Sequence, residues 1–164
     1  MQNILGIDPS LRGTGLAVLN GQTLECLATG DIRIKPYIPE EECLVLIYNT
    51  VSDWINRYEI DTIGIEKTIY VQNHQTAIKL GMVRGVILLA IQKAYRDIKI
   101  YQYSPKSWKR AVLSGSATKA QVNKMVRALF KVIPRNEDES DALSLAYAAA
   151  NDRKAESMLN TIDR

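Results

Sequence analysis

The sequence predicts a single α/β domain built on a mixed sheet, and three observations lead there. Short runs rich in branched apolar residues, such as Asn3–Asp8 and Thr62–Glu66, alternate with longer stretches whose apolar residues recur every three or four positions. The first third carries only strand and turn signals, which suits an antiparallel meander. Beyond it, strand and helix patterns alternate, which favours parallel pairing.

The elements follow in order. Asn3–Asp8 is an apolar strand that ends on a carboxylate, and Pro9, with no N–H for a ladder, stops it. Arg12-Gly13-Thr14-Gly15 reads as a turn, Leu16–Leu19 as a second strand and Asn20-Gly21 as a hairpin turn. Gln22–Thr29 and Asp31–Lys35 continue as strand, with Gly30 as a bulge or bend. Pro36 and Pro39 close the meander. A helix follows, with Leu44, Ile47, Tyr48, Val51, Trp54, Ile55 and Tyr58 on one side and Glu40, Glu41 and Glu42 in its first turn, where the helix dipole favours acids. Thr62–Glu66 is a fourth strand. Asn73–Ala94 is a long helix on which Gly81 and Gly85 share a face, open to the sheet or to a second subunit. Ile98–Tyr103 is the last strand. Ser104-Pro105 starts a helix that carries Lys106, Lys109 and Arg110, and Thr118 caps another that runs to Phe130. The latter buries Val122, Met125, Val126 and Leu129 and presents Lys124, Arg127 and Lys131, either to solvent or to phosphates. Pro134 breaks it. Asn136–Asp141 leads into an Ala- and Leu-rich helix over Ala142–Asn151, and from Lys154 the chain is a polar tail expected to fray. The domain is thus expected over residues 1–153, with a tail over 154–164.

Composition narrows the class. The 164 residues, 46% hydrophobic, suffice for one core, and a net charge of +3 permits a nucleic-acid partner without demanding one. Cys26 and Cys43 form no CxxC and read as reduced thiols of a cytoplasmic protein. A single histidine, His74, offers no zinc-ligand set. No signal peptide precedes the first strand, and the longest apolar run, Gly85–Ile91, is too short to span a membrane.

Four carboxylates carry the chemistry. Taken alone, Asp8 reads as a turn residue that caps its own backbone. Glu66, however, ends a second core strand of the same pattern, Ile63-Gly64-Ile65-Glu66 after Leu5-Gly6-Ile7-Asp8. Asp138 and Asp141, three apart, share a helix face whose next member is the apolar Leu145, so that face points inward. Parallel neighbours end on the same sheet edge, which brings the first two acids together. Four converging acids repel unless cations intervene. Two divalent ions about 3.5–4 Å apart relieve that repulsion and clamp an in-line phosphoryl transfer. An oxygen-only donor set favours Mg²⁺ or Mn²⁺.

At this point a resemblance becomes specific. Ile4-Leu5-Gly6-Ile7-Asp8-Pro9 with Thr14-Gly15 resembles the opening of the RuvC family of Holliday junction resolvases, and Ile65-Glu66 its second acidic motif. Asn73, Ala77–Gly81 and Arg84-Gly85 resemble the helix that follows that motif. Ser116–Val122 with Met125-Val126 resembles its DNA-contacting segment, and Asp138–Leu143 its closing pair of acids. The ordered set covers nearly the whole chain. The resemblance implies a ribonuclease-H-like fold, a mixed five-stranded sheet flanked by helices. It also implies a homodimer that resolves four-way DNA junctions in recombination and repair by paired nicks leaving 5′-phosphates, with two Mg²⁺ (or Mn²⁺) per active site. It assigns Asp8, Glu66, Asp138 and Asp141 as metal-binding catalytic acids, Lys119 as the basic residue at the scissile phosphate and Lys109 as a second, in a linker one residue shorter than in bacterial relatives. Lys124 and Arg127 join them as phosphate contacts. Ser10 departs from the usual Gly, and Ile69 stands where a base-stacking aromatic is expected, with Tyr70 beside it as a substitute. A branch-migration motor is an implied partner, and the cytoplasm, or the nucleoid of a bacterium, the implied location. The alternatives are another nuclease of the same fold, acting on flaps or RNA–DNA hybrids, and a junction-binding protein without catalysis. Sugar-kinase and actin-like ATPases open similarly but need two such domains, for which this chain is too short.

Overall fold

The structure is a computed structural model and describes residues 3–67, 73–94 and 97–162. Five strands form one sheet in the order β3-β2-β1-β4-β5. They are β1 (Asn3–Asp8), β2 (Gly13–Asn20), β3 (Cys26–Arg33), β4 (Ile60–Glu66) and β5 (Lys99–Tyr103). The first three are antiparallel neighbours, while β4 runs parallel to both β1 and β5. Strand alternation splits the core in two. Leu5, Ile7, Ile63 and Ile65 face α1 (Glu40–Arg57) and α2 (His74–Lys93), and lie at 0% exposure with Ile47, Val51, Ile55, Val83 and Ile87. On the other face Ile4, Ala17 and Leu19 pack with α3 (Pro105–Val112), α4 (Lys119–Phe130) and α5 (Glu137–Ile162), through Trp108, Val122, Val126, Ala142, Leu145 and Ala149. Each fully buried Leu or Ile stabilises the fold by about 1.5–3 kcal/mol.

α5 lies directly on the sheet because three strands offer it no side chain. A Cβ on Gly15 of β2 would meet the Asp138 carbonyl oxygen at 2.1 Å, one on Gly6 of β1 the Ala142 oxygen at 1.9 Å, and one on Gly64 of β4 the Leu145 oxygen at 2.3 Å. Gly6 and Gly64 are register partners, so one helix crosses a continuous glycine seat. This corrects the reading of Arg12–Gly15 as a turn. β2 already begins at Gly13, and the described glycines have no positive φ. Gly30 is likewise no bulge: it seats the Trp54 ring, 2.9 Å from where its Cβ would stand, and the register shift falls at Val18/Leu19. The β2–β3 connection runs over Asn20–Glu25, with Leu24 rather than Asn20-Gly21 in the left-handed region (φ 60°).

The helix starts follow the local signals. Asn73 accepts from the backbone of Gln75 and Thr76, Ser104 from Ser107, and Thr118 forms a capping box with Gln121. α4 ends before Pro134, on Lys131 in the left-handed conformation (φ 54°), and Leu129 remains 43% exposed. α5 begins earlier and ends later than expected. It includes Asp138 and Asp141 in its first turns and continues through the polar stretch to Ile162, where Glu156 bonds both Lys99 and Tyr101 of β5. Gly81 and Gly85 of α2 are exposed and meet nothing within 4 Å, so they do not pack on the sheet. Cys26 and Cys43 are free thiols, as expected.

Candidate active site

Asp8 and Glu66 are the last residues of two parallel neighbours whose register pairs Ile7 with Ile65. Two residues after Gly6 and Gly64 respectively, each projects on the glycine face, toward α5. The glycine seat draws the first turns of α5 down to meet them, with Asp141 at 5% exposure. Gly13 and Gly15 leave the space beside Asp8 open for Asp138, whose Oδ2 lies 3.2 Å from a Cβ position on Gly13. The turn after Asp8 is closed by the buried Thr14. Its hydroxyl accepts from the Ser10 N–H at 3.1 Å and donates to the Ser10 carbonyl. The turn therefore uses the Ser10 backbone. Positive-φ non-glycine residues are Leu24, Glu59 and Lys131 among the described residues, so position 10 does not require Gly.

Electrostatics couple the four acids to one another. Burial pushes the Asp8 carboxyl up to about 8, with repulsion from Asp141, Glu66 and Asp138 in the same direction and Lys119 opposing. Burial also raises Asp141 to about 6, against the pull of Lys119, with Glu66 raising it further and Lys109 lowering it. Asp138 is raised by burial and relieved by Arg33 and Lys119. Lys119 Nζ lies 3.0 Å from Glu137 and 3.4 Å from Asp141. Lys109 thus acts on the site from α3, its Nζ 5.6 Å from the Trp108 ring centre. Lys124 and Arg127 line a depression of about 390 Å³ on α4 together with Lys119 and Glu137. Ile69 and Tyr70 lie outside the described residues.

Two participants escaped the sequence reading. Trp108, 2% exposed, donates its indole N–H to Glu66 Oε2 at 2.6 Å, and Arg33 reaches Asp138 Oδ2 at 3.1 Å. A buried indole needs an acceptor, which is the signal Trp108 offered next to Lys109. Arg33 offered only its place two residues from Asp31 on a strand.

The donor set fits a hard divalent cation. It is oxygen-only, and the mutual repulsion that raises Asp8 is what such an ion removes. Among the described residues no three acids stand in ion-holding geometry; Lys119, Arg33 and Trp108 occupy their oxygens instead.

A mixed sheet in this order, with acids at adjacent ends of β1 and β4 and on the first turns of the last helix, defines a nuclease of the ribonuclease-H-like class. The comparisons place it further. The family model "Crossover junction endodeoxyribonuclease RuvC" matches residues 4–149, and the chain belongs to the RuvC family. Relatives of that description include those of Natranaerobius thermophilus (34% identical, covering 87% of this chain and 91% of the relative) and Aliivibrio salmonicida (38%, covering 94% and 90%). Among solved structures, Thermus thermophilus RuvC in complex with a Holliday junction substrate superposes with a TM-score of 0.82 at 26% identity, covering 94% of this chain and 96% of that one. The yeast mitochondrial resolvase Ydc2, at 13% identity and a TM-score of 0.64, shares the fold. Nucleases of this family are metal-dependent.

Proposed function

We propose that this chain binds four-way DNA junctions and resolves them, as a homodimer, by paired symmetric nicks that leave 5′-phosphates. The observation that carries this reading is the convergence of Asp8, Glu66, Asp138 and Asp141 beside Lys119 in a chain of the RuvC family. Its relative from T. thermophilus was solved with a junction substrate, which favours a junction over a flap or a hybrid. Retention of all four acids argues against a binding protein without catalysis.

The four acids would hold two Mg²⁺, with Mn²⁺ as a substitute. When bound, these ions supply activation of the attacking water and charge stabilisation at the leaving 3′ oxygen. Lys119 neutralises the scissile phosphate as charge develops on it, from a position fixed by Glu137 and Asp141. Lys109 adds positive potential at the same edge. Lys124 and Arg127, both exposed on α4, track the DNA backbone. Ile69 or Tyr70 stacks on a junction base.

The dimer reading rests on α2. This 20-residue helix is long and apolar enough on average to cross a membrane, although Lys79 and Arg84 interrupt it, and one side packs on α1. Ile78 (63% exposed) and Leu89 (51%) remain uncovered, with Gly81 and Gly85 open on the outside. Apolar side chains left together on the outer face of a helix favour a cover. A second copy supplies that cover and presents two sites to the near two-fold junction. The protein acts where its DNA lies, in the cytoplasm or on a bacterial nucleoid, and a branch-migration motor would deliver the junction to it.

The test is cleavage of a mobile four-way junction with the cuts mapped, beside a flap and an RNA–DNA hybrid. Symmetric Mg²⁺-dependent nicks in the junction are expected. Preferential cutting of the flap or the hybrid would overturn the reading.

A further inference from the structure

One chain of charges leads from the core to a catalytic acid. Glu139, its side chain at 0% exposure, accepts from the Arg135 backbone N–H at 2.9 Å and from the Arg135 guanidinium at 2.6 and 2.7 Å. Arg135 lies 3.6 Å from Asp31, itself 8% exposed. Asp31 accepts from Nε of Arg33, and the other end of that guanidinium reaches Asp138 Oδ2 at 3.1 Å. Register explains the contact. Arg33 pairs with Gly13 and Asp31 with Gly15, so the strand between them and α5 carries no side chain that would keep Arg33 away. A planar fork bonds Asp31 through Nε and Asp138 through a terminal nitrogen in a fixed geometry that a lysine ammonium lacks.

We propose that Arg33 is a positioning residue that competes with divalent cations for Asp138. The inference rests on the reading of Asp138 as a metal ligand. Without an ion, the Arg33 guanidinium offsets the Asp138 charge and holds its Oδ2 toward β3. An ion can use that oxygen only when Arg33 gives it up. Asp31, held in turn by Arg135 and Glu139, keeps the released arginine at the sheet edge through Nε.

The test is calorimetric titration of Mn²⁺ into the metal-free full-length protein. Arg33 is exposed, so its ion pair is worth little, and Arg33→Ala should bind Mn²⁺ about two- to fivefold more tightly than wild type. Arg33→Gln should do the same, and the gap should narrow as KCl is raised. Arg57→Ala, which removes an equal charge from an exposed pair with Asp53 on α1, should bind as wild type does. Unchanged or weaker binding by both Arg33 variants, with Asp138→Asn binding weakly, overturns the competition and leaves Asp138 as a ligand. Wild-type affinity in Asp138→Asn overturns both readings at once.

Discussion

Gly15 and Asp138 touch backbone to backbone: a Cβ on the glycine would stand 2.1 Å from the Asp138 carbonyl oxygen. The contact belongs to packing and to the site together, because it sets how far the first turn of α5 descends toward Asp8. Gly15→Ala must lift the helix or bend the strand, and neither backbone can yield cheaply. We expect a loss of about 3 kcal/mol or more in denaturant unfolding, with a fall in nicking beyond what the unfolded fraction explains. Wild-type stability in Gly15→Ala would show that the seat is loose.

Asp8→Asn should abolish nicking while junction binding persists, and it should stabilise the metal-free protein. The sign follows from the raised carboxyl. A group whose folded pKa, about 8, exceeds its unfolded value contributes stability that is full below the unfolded value, near 4, and is lost as pH rises through 8. At pH 8 the native fold bears a charge it would rather shed. Asn removes that burden, so the variant should gain up to about 5 kcal/mol at pH 8 and little at pH 4. Thermal melts in chelator at both pH values read the difference, and saturating Mg²⁺ should erase it.

Trp108→Phe keeps the ring in its buried seat and removes the N–H that Glu66 accepts. The expected cost is about 1–2 kcal/mol of stability. If Glu66 holds the ion as proposed, nicking should also slow by about tenfold and be restored in part by excess Mg²⁺, because the donor would orient a ligand rather than touch substrate. Full activity at limiting Mg²⁺ would remove Trp108 from the site's support.

Lys119→Ala should lower the nicking rate by about a hundredfold and weaken junction binding far less. Its ammonium stays charged, held well above the usual lysine range by Glu137 and Asp141 against the opposing effect of burial. A loss confined to binding would reassign it as a backbone contact.

Ile78→Asp on the outer face of α2 should yield a folded monomer by sedimentation, since the side chain is 63% exposed within one chain. Such a monomer should cut one strand of a junction without the paired second cut. A dimer that survives the substitution would place the interface elsewhere.

Much of the fold is local and could be read as such. Caps at Asn73, Ser104 and Thr118 satisfy backbone donors within three residues, and the apolar stripe of α1 needs no partner to be seen. Glycine misled the reading at Gly13, Gly15 and Gly30. A glycine suits a turn and a close approach equally well, and only the position of α5 or Trp54 tells them apart. The extension of α5 past Lys154 was equally hidden, because the contacts of Glu156 with Lys99 and Tyr101 join residues far apart along the chain.

For the candidate site, the sequence by itself determined which carboxylates stand out: each closes an apolar strand or opens an inward helix face, where an unpaired charge is costly without a cation. Only the tertiary structure decided what surrounds them. Arg33 on Asp138 and Trp108 on Glu66 depend on strand register and on the depth of α5 over its glycine seat. Both are set by backbone packing across the sheet, which leaves no periodic trace along the chain.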